Sequence, residues 1–147
     1  MDIAITKLSD AEHRVSITRR DGSTESATMV TREFLRHDFA HFIVETEVPV
    51  ALGYWGCVAA GASLTGEGAG GRDIAFAETL AGPVQTLMRL EATSDQYLDM
   101  LERIQPQIAT QDLAQRFFEC ARQLAGHWRA TPFGETMHFE WQEQDTK

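Results

Sequence analysis

The chain has 147 residues, 43% of them hydrophobic, and a formal net charge of −9. That length and apolar share suit a single domain, 1-147, with a true core, and exclude wholesale disorder. The acidic balance, with the basic residues scattered along the chain, argues against nucleic acid and anionic membrane surfaces as partners.

Ile3 and Ile5 alternate with polar neighbours and predict a first strand from about Asp2 to Leu8. After a turn at Ser9-Asp10-Ala11-Glu12, His13 to Arg19 reads as a second strand and about Ser23 to Val30 as a third. Asp21-Gly22 between them is a hairpin signal. A two-residue turn would put Val15 and Ile17 on the face opposite Ala27 and Met29. A three-residue loop, Arg20-Asp21-Gly22 with Gly22 left-handed, puts His13, Val15 and Ile17 on the same face as Met29, Ala27 and Glu25. Burial of one face favours this second register.

The stretch Thr31–Glu45 concentrates the chemistry of the chain. Phe34, Leu35, Phe39, Phe42 and Ile43 recur at helical spacing, Thr31 reads as the N-cap, and Pro49 ends the pattern. His37, His41 and Glu45 fall at i, i+4 and i+8, a row expected at the edge of the apolar face, with Asp38 beside it. His37 and His41 are close enough to ligate one metal ion. The pattern His-Asp-x-x-His has the zincin spacing His-Glu-x-x-His, with Asp38 in the place of the general base. Glu45 is about 12 Å along the axis from His37, too far to complete the set. The third ligand must come from elsewhere, with Glu78, Glu91, His127 and His138 as candidates. The structural alternative is a pair of core histidines satisfied by carboxylates or carbonyls, such as His41 with Glu45.

Beyond Pro49, a small-residue apolar run predicts a short buried helix over about Ala51 to Ser63, with Tyr54 and Trp55 as core residues. Thr65–Gly71 is a glycine-rich loop; it lacks the preceding strand and the basic residue that a phosphate cradle needs. Asp73 is a candidate cap for the next helix, and Gly82-Pro83 should break or kink it. Thr93-Ser94-Asp95 recaps a segment that ends by Pro106, and Thr110 caps a helix whose core positions run from Leu113 to Trp128. Cys57 and Cys120 both fall in apolar helical context, as small hydrophobes of a reducing compartment do; Cys120 has no nucleophile motif to join it to His127. Thr136 to Trp141 alternates and predicts a last strand returning to the N-terminal sheet, followed by a polar tail, Gln142 to Lys147, expected to fray. The fold class is therefore α+β: a small antiparallel sheet, an N-terminal three-stranded meander plus a C-terminal strand, covered by about four helices. With no apolar run long enough for a bilayer and no leader-like N-terminus, the expectation is a cytoplasmic protein with no membrane association.

Three segments together resemble a group of small bacterial proteins without assigned function: Phe34-Leu35-x-His37-Asp38-x-x-His41-x-x-x-Glu45, Gly53-x-Trp55-Gly56-x-x-Ala59-Ala60-Gly61, and Trp128-Arg129-Ala130-Thr131-Pro132-x-Gly134-x-Thr136. The resemblance spans most of the chain and implies a discrete cytosolic bacterial protein. It carries over no catalytic residue.

Two function classes follow. One is a non-catalytic ligand-binding or protein-interaction domain, a candidate homodimer. The other is a metal-dependent hydrolase, with His37 and His41 as ligands to a divalent metal such as zinc and Asp38 or Glu45 as the base. The incomplete ligand set favours the first.

Overall fold

A computed structural model describes residues 1–144. The sheet is antiparallel in the order β3-β2-β1-β4, from β1 (Asp2–Lys7), β2 (Glu12–Thr18), β3 (Thr24–Val30) and β4 (Thr136–Glu140). Between β3 and β4 lie α1 (Thr31–Glu47), the short α2 (Tyr54–Ala59), α3 (Arg72–Arg89), α4 (Ser94–Ile104) and α5 (Gln111–Ala130). This is the α+β arrangement expected from the alternation and helical periods.

The hairpin takes the three-residue loop. Arg19 N–H donates to the Ser23 carbonyl, Gly22 sits at φ 83°, and His13, Val15 and Ile17 pair with Met29, Ala27 and Glu25. The reason is burial: with this register His13, Val15 and Ile17 are all sealed on the inner face beside Ile3 and Ile5. β4 brings Met137 and Trp141 to the same core.

α1 is the hub. It packs against the sheet, α2, α3 and α5, and its residues from Phe39 to Glu45 are all buried. The polar row therefore does not lie wholly at the edge of an apolar face, as its spacing had suggested. His41 and Glu45 lie inside, because α2 and α3 cover that side, and only His37 stays at the edge, half-buried. Thr31 is not the N-cap either. Val30 holds that position without a side-chain cap, and the Thr31 hydroxyl instead meets His13 Nδ1 at 2.9 Å, tying the start of α1 to β2.

Three further expectations need correction. The predicted helix over Ala51 to Ser63 shrinks to Tyr54–Ala59, flanked by turns, since burial of small apolar residues does not require helical backbone. Asp73 does not cap α3; Gly71 occupies that position, and Asp73 Oδ2 accepts the Leu52 N–H at 3.1 Å. Pro83 lies inside an unbroken α3. Gly82 before it has no Cβ to clash with the proline ring, and burial of Leu80, Ala81 and Val84 holds the helix across the missing hydrogen bond. The recap at Thr93 and the Thr110 cap form as read, and the Thr93 N–H also donates to Gln96 Oε1 at 2.9 Å. Of the polar tail, Gln144 donates to the Glu45 and Thr46 carbonyls, and the residues after it lie outside those described.

Candidate functional site

The site is built where α3 crosses α1. Ala77 and Ala81 of α3 are fully buried, and α3 packs against α1. That packing brings Glu78 to the histidine row. His37 Nε2, His41 Nε2 and a Glu78 carboxylate oxygen lie within 4.8 Å of one another. Of the four candidate third ligands, Glu78 is the one that arrives. Glu91, His127 and His138 are exposed elsewhere, Glu91 at the end of α3 and His138 on the outer face of β4.

The outer nitrogens of both imidazoles are held from behind. His41 Nδ1 donates to Glu45 Oε1 at 3.1 Å, and His37 Nδ1 to Asp38 Oδ1 at 3.3 Å. A carboxylate accepts only, so each Nδ1 facing one donates, and each Nε2 is turned toward Glu78; without an ion the His41 Nε2, itself facing a carboxylate oxygen, donates as well. His41 Nε2 is 3.1 Å and His37 Nε2 3.8 Å from Glu78 Oε1. The Asp38 bond holds the His37 pKa above the ordinary imidazole value, against the opposing effect of burial.

Glu45 is fixed in turn by the glycine segment. Its Oε2 accepts the Gly56 N–H at 3.1 Å. A Cβ on Gly53 would stand 2.3 Å from the Glu45 carboxyl carbon, and one on Gly56 only 2.0 Å from the Ala51 carbonyl oxygen. Gly53 is therefore a space requirement of the Glu45 pocket, and Gly56 of the turn before α2. Trp55 Nε1 donates to the Asp38 carbonyl at 3.0 Å, so Gly53-x-Trp55-Gly56 braces both carboxylate-bearing turns of α1. Tyr54 packs its ring 5.5 Å from that of His41, and its phenol donates to the Leu64 carbonyl; burial and the nearby Asp38 charge push its pKa far up, so it stays neutral.

The charge balance is uneven. Asp38 and Glu45 are buried, Glu78 is at the rim, and among the described residues only histidine lies within ion-pair reach of the three. Asp38 Oδ2 is buried with no hydrogen-bond partner among the described residues. Buried carboxylates without a cation are costly. Access is one-sided: the His41 side chain is 0% exposed, whereas His37 and Glu78 are 34% and 53% exposed. Neither cysteine belongs to this chemistry. Cys57 is buried with its thiol toward the Leu52 carbonyl, and burial pushes the Cys120 thiol up to about 12, far from a thiolate at neutral pH.

No helix among the described residues is long and apolar enough to cross a membrane. Comparisons of the chain with protein-family models, with curated proteins and with solved structures return no match.

Proposed function

We propose that the protein binds one divalent transition-metal ion, such as zinc, through His37, His41 and Glu78, and that the site is hydrolytic. The observation that carries this reading is the pairing of both Nδ1 atoms with carboxylates, which leaves both Nε2 atoms and Glu78 converging on one point. Metal-binding histidines are commonly oriented in this way, by an outer carboxylate that fixes the tautomer and raises ligand basicity. Two histidines and one carboxylate form a donor set of catalytic zinc and non-haem iron sites, which keep coordination positions open. An ion held there supplies Lewis acidity and activation of water. In this reading Asp38 and Glu45 orient the ligands rather than act as the general base, since both Glu45 oxygens and Asp38 Oδ1 are engaged and Asp38 Oδ2 is sealed in the core.

A second reading keeps the domain non-catalytic, with His41 bridging Glu45 and Glu78 through hydrogen bonds at both ring nitrogens. The 3.1 Å contact to Glu78, an ordinary hydrogen-bond length, favours it. Elemental analysis of protein purified without chelator separates the two. The metal reading expects near one ion per chain, lost in His37→Ala/His41→Ala. It also expects affinity lowered about 10- to 100-fold in Glu45→Gln, which keeps the shape but not the charge of the orienting group. Metal-dependent cleavage of nitrophenyl phosphate or carboxylate esters, lost in the same double variant, tests the hydrolytic part. No ion in any sample would leave two structural histidines.

A further inference from the structure

A cavity separate from the histidines is present in the molecule. It lies on the other side of α1, between the first half of that helix, the end of α3, the second half of α5 and Tyr97 of α4, and encloses about 740 Å³. That is the size of a small-molecule site. Five arginines line it, Arg32, Arg36, Arg89, Arg122 and Arg129, against two acids, Asp10 and Glu91. The whole chain has only thirteen Lys and Arg and a net charge of −9, so this concentration runs against its overall sign. The floor is apolar, with Leu35, Phe39 and Ala121 buried beneath the rim. Tyr97, 1% exposed, adds its ring to the lining.

Helix stability accounts for only some of these cations. Arg89 and Arg129 sit in the last turns of α3 and α5, where a positive charge suits the helix dipole. Arg32 is in the first turn of α1, where it opposes the dipole, and it stands one turn from Arg36, a like-charge i, i+4 pair. Arg129 meets Glu91 at 3.4 Å and Arg122 lies over the Phe118 ring, but Arg32, Arg36 and Arg89 have no ion-pair partner among the described residues. Three guanidinium groups without an ion-pair partner among the described residues, set around an apolar floor, match a ligand that is charged at one end and apolar along its body.

We propose that this cavity binds a small amphipathic organic anion, a carboxylate or phosphate head carried on an aliphatic or aromatic body. The head engages the arginine rim and the body fills the space over Leu35, Phe39 and Ala121. The site is separate from His37 and His41, which project from α1 about 100–160° around the axis from Arg36 and Leu35, so it does not depend on the metal reading.

Calorimetric titration with decanoate, decyl phosphate, decan-1-ol and inorganic phosphate tests it, on the wild type and on Arg36→Gln/Arg122→Gln. The expected result is saturable one-to-one binding of decanoate or decyl phosphate, with decanol at least tenfold weaker. The tighter of the two anions identifies the head group. The double variant should lose at least tenfold in affinity for that anion, keep its affinity for decanol, and retain the wild-type melting temperature, because both arginines are exposed. Equal binding of decanol and decanoate, an unchanged affinity in the double variant, or no saturable binding of either anion would overturn the proposal. Inorganic phosphate binding as tightly as decyl phosphate would overturn the role given to the apolar floor. Repeating the titration on His37→Ala/His41→Ala should give the same anion affinity, which keeps this result distinct from the fate of the metal reading.

Discussion

The two sides of α1 organise charge in opposite ways. On one side Asp38, His41 and Glu45 are buried, and each side chain is held by a hydrogen bond to a defined partner. On the other, Arg32 and Arg36 stand exposed beside a cavity without ion-pair partners among the described residues. The first side gathers carboxylates around a point where a cation fits. The second gathers guanidinium groups around a space where an anion fits. A preorganised buried site spends folding energy on its geometry, whereas a rim of long, solvated side chains costs the fold little and acts through charge. The net charge of −9 averages over both and describes neither.

If that contrast is correct, the largest stability effects belong to the buried side. Glu45→Ala strands the His41 Nδ1–H and the Gly56 N–H in a dry core and leaves a hole beside Gly53. A loss of about 3–5 kcal/mol in urea unfolding is expected, the range for breaking a buried charged pair. Gly53→Ala should cost less, about 1–3 kcal/mol, by forcing the Glu45 carboxyl aside. The two changes meet at the same atoms, so their effects should not add, and the alanine at 53 should become nearly harmless once Glu45 is removed. Simple additivity would mean that the glycine segment does not brace Glu45.

A smaller effect should come from His13, which is buried against Thr31 and edge-on to Trp128 with Nε2 unpartnered among the described residues. Burial lowers its pKa below the ordinary 6.5, with the Asp38 charge opposing. A depressed folded-state value means that the unfolded chain takes up a proton first as the pH falls. The stability contributed by the neutral ring is thus intact above about pH 6.5, the unfolded value. It is lost as the pH drops from there through the lower folded value. Comparing wild type with His13→Asn over pH 7.5 to 4.5 isolates this from the carboxylates, and the wild type should fall more steeply. Parallel curves would show that the ring is not held neutral.

Parts of this were legible in the sequence for identifiable reasons. The strands, α1 and the hairpin register follow from local period and from Gly22, because one buried face suffices to choose among registers. His37 and His41 could be paired from their spacing alone. Glu78 could be named as a candidate but not chosen over Glu91, His127 and His138, since its arrival depends on the packing of α3 against α1. Pro83 misled because a local rule was outweighed by the burial of its neighbours. The arginine rim was hidden by distance along the chain: Arg32, Arg89 and Arg129 are scattered in sequence and adjacent in space. Its one local trace was Arg32 and Arg36, a like-charged pair one turn apart at the wrong end of a helix.

That trace yields the smallest and most discriminating expectation. A residue kept for stability should weaken the fold when its charge is removed. Arg32→Gln removes a charge that opposes the helix dipole and repels Arg36, so thermal or urea unfolding should show stability unchanged or raised by up to about 0.5 kcal/mol. Removing a side chain from the buried row, as in Glu45→Ala, should instead weaken the fold, since the groups there are hydrogen-bonded to one another. A clear destabilisation by Arg32→Gln would mean that the guanidinium has a structural partner, and the two sides of α1 would then be alike. A neutral or stabilising result, together with weaker anion binding, would mark Arg32 as a group that the fold tolerates because a ligand uses it.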